Sequence, residues 1–115
     1  MKNKIIIGLT EEIILYSESV KPKLLKARID TGATRSSIDT KLAASMKFKL
    51  SDRTKLVKSA HGSTVRPIVH GRIKLASHLI DVDFTITNRD HMKYQVLIGQ
   101  DVLQKKAFLI DPMKG

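Results

Sequence analysis

Residues 79–87 alternate strictly: Ile80, Val82, Phe84 and Ile86 fall on one side of the pattern, Asp81, Asp83, Thr85 and Thr87 on the other. Only an extended strand sorts residues i, i+2 and i+4 onto one face, so this stretch predicts a strand with one buried and one wet side. The same period recurs where Leu25, Ala27 and Ile29 alternate with Lys26 and Arg28, and again at Val69, Gly71, Ile73 and Leu75. Aromatic residues make up only 4% of the chain and there is no Trp, so the core must be mainly Ile, Leu and Val. β-Branched side chains pack well on a pleated surface, which favours the same architecture. The chain reads as mainly all-β.

The remaining segments fit that frame. Residues 4–9 predict a strand, Thr10-Glu11-Glu12 a turn, and 13–17 a second strand. Pro22 marks the entry to the strand that ends at Asp30. Asp39 is placed to cap a short helix over Thr40 to Met46, with Leu42, Ala43 and Met46 on one face. Residues 54–59 and 64–75 read as two strands joined at Ala60-His61-Gly62-Ser63. Pro67 cannot donate to a ladder, so it marks an edge or a protruding strand. Asn88 to His91 is a loop, Val96-Leu97-Ile98 a buried strand halted by Gly99, and Gln100 to Lys106 a short helix. Phe108-Leu109-Ile110 is the last strand, stopped by Asp111-Pro112. Seven to nine short strands with one or two short helices imply a small β-barrel or sandwich, in a single domain over residues 1–115.

Charge and cysteine content narrow the function. Lys and Arg outnumber Asp and Glu by 21 to 11, a net charge of +10, which favours acidic partners. The cations are spread from Lys2 to Lys114 without a block, and aromatic partners for stacking on bases are scarce, so nucleic-acid binding is disfavoured. The absence of cysteine excludes disulfides, thiolate zinc sites and a Cys nucleophile. The apolar run near the N-terminus is too short for a signal or membrane-spanning segment, so the expectation is a cytoplasmic protein without membrane contact.

One stretch carries chemistry: Ala27-Arg28-Ile29-Asp30-Thr31-Gly32-Ala33-Thr34, where a strand runs into an Asp and then a small, hydroxyl-bearing turn. Asp30 would be displayed where the backbone bends, and Gly32 would supply conformational freedom and close approach. An ordinary Asp-Gly-type turn, in which the Asp only bonds its own backbone, is the competing reading of these residues alone.

Context changes the balance. The Asp30 turn, the Gly-containing hairpin Lys58-Ser59-Ala60-His61-Gly62-Ser63-Thr64-Val65, and Val96-Leu97-Ile98-Gly99-Gln100-Asp101-Val102-Leu103 follow in one order. In this the chain resembles the retropepsin-like aspartic proteases, over roughly residues 5 to 113. Ser36-Ser37-Ile38 and Phe108-Leu109-Ile110-Asp111-Pro112 make it similar to the subfamily called ATP-dependent zinc proteases, often encoded beside ATP-grasp ligases that add glutamate to proteins. The resemblance implies a small closed β-barrel and an endopeptidase in which Asp30 is the catalytic acid/base. Thr31 would brace the turn by bonding across a dimer axis, and Gly32 would leave room for substrate backbone. Ala33, Thr34 and Arg35, with the flap residues Ala60, His61, Gly62 and Ser63, would bind substrate.

Aspartic proteolysis needs two carboxyl groups sharing a proton, and the pair titrates as one unit. This chain has one Asp-Thr-Gly; Asp81, Asp83, Asp101 and Asp111 lack the surrounding turn chemistry. The implied enzyme is therefore a C2 homodimer with Asp30 opposite its copy. Viral members often carry two acidic residues after Asp-Thr-Gly-Ala, where this chain has Thr34 and Arg35. With the basic surface, that points to acidic peptide substrates, read by Arg35, Lys58 and Arg66. No His-Glu-x-x-His occurs, His61, His70, His78 and His91 are scattered, and the six glycines are unclustered, so neither zinc nor ATP nor another cofactor is expected. Two alternatives stand beside the peptidase: a non-catalytic module gripping an extended peptide on the same fold, and a basic RNA-binding β-barrel.

Overall fold

The computed structural model describes residues 4–59 and 62–115, and for 50–59 and 62–64 it gives the backbone course alone. The described residues form β1 (Ile5–Ile7), β2 (Thr10–Tyr16), β3 (Lys23–Ile29), β4 (Ser37–Asp39), α1 (Thr40–Ser45), β5 (Leu50–Ser59), β6 (Gly62–Leu75), β7 (His78–Thr87), β8 (Val96–Ile98), α2 (Gln100–Leu103) and β9 (Phe108–Ile110). Six strands pair in the order β2-β3-β8-β4-β7-β6, and β6 pairs back onto β2, so the sheet closes into a barrel. Closure removes the free edges that an open sheet of this length would present. β5 adds to β6 outside the ring, and β1 pairs with β9 as a separate parallel ribbon.

The alternation seen in the sequence faces the barrel interior. Ala27 and Ile29 of β3, Ile73 and Leu75 of β6, Ile80, Val82 and Phe84 of β7, and Val96 and Ile98 of β8 are all buried. Burying each large apolar side chain contributes on the order of 2 kcal/mol. Asp39 caps α1 by accepting the Lys41 N–H at 3.1 Å, and Leu42, Ala43 and Met46 are buried, as the spacing predicts. Pro67 sits just where β6 leaves the barrel: β6 pairs with β7 from Ile68 onward, whereas Gly62 to Pro67 pair with β5 alone. The β5–β6 hairpin thus protrudes, with Ser59 opposite Gly62.

Three local expectations shift. The break between the first strands falls at Gly8 and Leu9, not at Thr10 to Glu12, which pair with Arg28, Ala27 and Lys26 in β3. The register sets Glu12 opposite Lys26 and Thr10 opposite Arg28, a favourable arrangement on the wet face. At Gly8 a Cβ would lie 1.8 Å from the Lys114 carbonyl oxygen, so the chain must turn there without a side chain. α2 stops at Leu103 because Gln104, Lys105 and Lys106 are exposed and offer no apolar face. Thr85, placed on the wet side by alternation, is buried, since its hydroxyl donates to the Ser36 carbonyl and β4 covers that end of β7.

Candidate active site

β3 delivers Asp30 to one end of the barrel, and the chain returns through β4 after a turn over residues 30–36. Between these two arms lies β8, parallel to β3 (Ala27 opposite Val96, Ile29 opposite Ile98) and antiparallel to β4 (Ile38 opposite Val96). The turn is therefore hung on the chain that threads through it. The Asp30 N–H donates to the Ile98 carbonyl at 2.9 Å, carrying the ladder one residue past β3. The Gln100 N–H donates to the Ala33 carbonyl at 2.8 Å and the Asp101 N–H to the Thr34 carbonyl at 3.2 Å.

Side chains lock the same contact. The buried Ser36 hydroxyl donates to Asp101 Oδ1 at 2.7 Å and accepts the Gly99 N–H at 2.9 Å, while the Ser36 N–H donates to Asp101 Oδ2 at 3.1 Å. Gln100 Nε2 donates to the Thr31 carbonyl at 2.6 Å. Gly99 is required by close approach: a Cβ there would lie 2.8 Å from the carbonyl oxygens of both Ala33 and Arg35. Such backbone contacts do not yield, so the 30–36 turn is rigid.

Asp30 is half-buried, and its Oδ1 accepts the Gly32 N–H at 2.9 Å. Gly32 serves by proximity, since a Cβ there would lie 3.2 Å from Asp30 Oδ1; it does not adopt the left-handed backbone that its type permits. Thr31 and Gly32 are exposed. Ala33 is half-buried, and Thr34 and Arg35 are exposed beside it, so the structure brings residues 30–35 together on one turn. Ala60 and His61 lie outside the described residues, and Gly62, Ser63 and Lys58 are described only as backbone of the hairpin. Arg66 is half-buried on β6, opposite Lys55.

Sequence reasoning missed Ser36, Gln100 and Asp101 as the braces of the turn. Asp101, weighed and set aside as a second catalytic carboxylate, instead accepts hydrogen bonds from Ser36 and from the Val102 N–H at 2.8 Å. Among the described residues, no three of His, Asp or Glu stand close enough to hold a metal ion, and His70 is engaged with Asp83 at 2.8 Å.

Residues 40–115, from α1 through the hairpin and β8 to β9, match the family described as RimB-like, retropepsin-like aspartic endopeptidase RimB. The chain belongs to the RimB-like family. Asp30 precedes the matched stretch, whereas two curated relatives align over 98% of the chain. Both are named "Probable alpha-L-glutamate ligase"; the Shewanella halifaxensis protein is 31% identical over 139 residues and the Shewanella pealeana protein 30% over 138. The chain spans 30% of the length of each. Among solved structures, a Legionella pneumophila protein of unknown function is similar with a TM-score of 0.65 and 22% identity, covering 96% of this chain and 94% of that one. Simian foamy virus protease (TM-score 0.58, 18% identity, 83% and 91% covered) and inhibitor-bound EIAV protease (0.60, 18%, 84% and 85%) share the fold as well. The RimB-like chain thus has the retropepsin-like fold: mostly β, a closed six-stranded barrel with two short helices.

Proposed function

We propose that the protein is an aspartic endopeptidase in which Asp30 of one copy and Asp30 of a second share a proton across a two-fold axis and activate water between them. The observation that carries this reading is the braced Asp30-Thr31-Gly32 turn, in a chain of a family of aspartic endopeptidases. A shared-proton pair needs carboxyl groups held at hydrogen-bond distance before substrate arrives, and a turn that cannot relax meets that need. Among the described residues the Asp30 carboxylate accepts only the Gly32 N–H and the Thr31 hydroxyl makes no hydrogen bond, leaving both groups available to a second copy. One carboxylate would take a proton from water while its protonated partner donates to the scissile carbonyl oxygen. The β5–β6 hairpin would close over the extended substrate and exclude water.

The substrate we assign is an acidic, glutamate-rich peptide. Support comes from the net charge of +10 and from the relatives named as glutamate ligases. Asp30→Asn keeps the side-chain volume and the Gly32 hydrogen bond but removes the titrating acid. The expected outcome is loss of peptide cleavage by at least about a thousandfold, with unchanged melting and unchanged sedimentation. Cleavage by that variant at the wild-type rate would overturn the assignment.

A further inference from the structure

A cleft lies at the end of β2 away from the Asp30 turn. β2 begins at Thr10, opposite Arg28, and runs about 20 Å to Tyr16. There a cavity of about 410 Å³ opens between residues 16–19, residues 47–49 and the β6–β7 ladder. That volume suits a small organic ligand.

The apolar floor of the cleft is fixed in place. Gly71 of β6 is buried, and the Phe48 ring fills the space of its missing side chain: a Cβ there would lie 3.1 Å from Phe48 Cζ. The segment carrying Phe48 is pinned as well. The Ser17 hydroxyl donates to the Met46 carbonyl at 2.5 Å, and the Phe48 N–H donates to the Ala43 carbonyl at 3.3 Å. Lys47 sits at φ 55°, a conformation that a lysine keeps only where its surroundings hold it.

The β6 wall carries cations engaged along one edge. Arg72 stands opposite Asp81, and its Nε donates to Asp81 Oδ1 at 2.8 Å. His70 stands opposite Asp83, with Nδ1 at 2.8 Å from Asp83 Oδ1. The Arg72 terminal amino groups have no hydrogen-bond partner among the described residues. Across the cleft, Lys47 and Lys49 are exposed, and their amines make no ion pair among the described residues. Asp81 is taken by Arg72, so Glu18 is the acid that opposes the two lysines within the lining. The cleft therefore combines a positive excess with an aromatic floor. A guanidinium held by Nε keeps a planar edge of donors for an oxyanion.

We propose that this cleft binds a small organic oxyanion, a carboxylate or phosphate ester, with its apolar body on Phe48 and its charged group held by Arg72 and Lys47. The site is separate from the Asp30 turn and does not depend on the peptidase reading.

The test titrates benzoate, phenyl phosphate and neutral benzamide into the isotope-labelled protein and follows backbone amide resonances. Benzoate or phenyl phosphate should give saturable shifts at Phe48, Gly71 and Arg72 while Thr31 and Gly32 stay unmoved, and the tighter of the two names the headgroup. Benzamide should bind at least about tenfold more weakly. Arg72→Gln removes the guanidinium from an exposed pair, and Lys47→Asn removes the ammonium while keeping a residue that tolerates φ 55°. Each should weaken binding by about tenfold. Lys26→Gln removes an exposed charge from β3, outside the cleft, and should leave affinity unchanged. The absence of saturable shifts at these amides, equal binding of benzamide, or unchanged affinity in both cleft variants overturns the site. So does equal weakening by Lys26→Gln, which would mean an adventitious ion only, drawn by the net charge.

Discussion

Ser36 shows how much of the site rests on one hydroxyl. It is fully buried, joins Gly99 to Asp101, and its carbonyl also accepts the Thr85 N–H at 3.1 Å. Ser36→Ala leaves the buried Gly99 N–H without its acceptor and takes from Asp101 Oδ1 one of its two donors, the Val102 N–H remaining, at a cost of about 2 kcal/mol. Urea unfolding should show this loss, and cleavage should fall with it as the turn loosens. A variant as stable as the wild type would mean that the hydroxyl is not a brace. The sequence exposed Asp30 because Asp-Thr-Gly-Ala after an alternating strand is a recognisable order. It did not expose Ser36, because nothing in Ser36-Ser37 says that the hydroxyl will close on residue 99. Long-range hydrogen bonds leave no local pattern.

Elements with a period were legible, and elements set by their neighbours were not. β3, β7 and α1 declare themselves through spacing and the Asp39 cap, whereas β4 is three residues long and exists because β8 and β7 flank it. The β6–β7 turn uses Ala76 and Ser77 at φ 48° and 70°, a left-handed pair normally given to Gly or Asn, so no turn signal marks it. Asp39 links α1 to the loop that carries Arg89, and its charge makes the link depend on pH. Burial alone would raise its pKa; the backbone N–H groups of Arg89, Leu42 and Lys41, with the Lys41 charge, outweigh that and hold it below the ordinary 3.8. The folded state therefore favours the anion more than the unfolded chain does. The resulting stability is present above 3.8 and drains away as pH falls through the lower folded value. Asp39→Asn keeps a capping oxygen and loses the charge, so its urea midpoint should depend less on pH between about 5 and 3 than the wild type's. Parallel curves for the two proteins would assign that acid sensitivity elsewhere.

At the scale of the whole molecule, composition and alternation pointed to a small barrel or sandwich, and the pairing of β6 back onto β2 makes it a barrel. Pairing partners depend on twist and strand tilt, which a single sequence does not display. The proposed assembly has its own signature. If two Asp30 side chains make the reacting pair, specific activity should fall on dilution at the same concentration at which sedimentation shows the dimer dissociating. Constant specific activity in a sample that sediments as monomer would remove the second copy from the mechanism. The threading of β8 between β3 and β4 has one more consequence, in time rather than in space. Residues 96–101 supply the strand and hydrogen bonds on which the Asp30 turn hangs. A ribosome works from the N-terminus, so Asp30 emerges long before its frame does. From the synthesis of Asp30 until that of residues 96–101, each growing chain carries the acid without the scaffold on which the proposed pair depends.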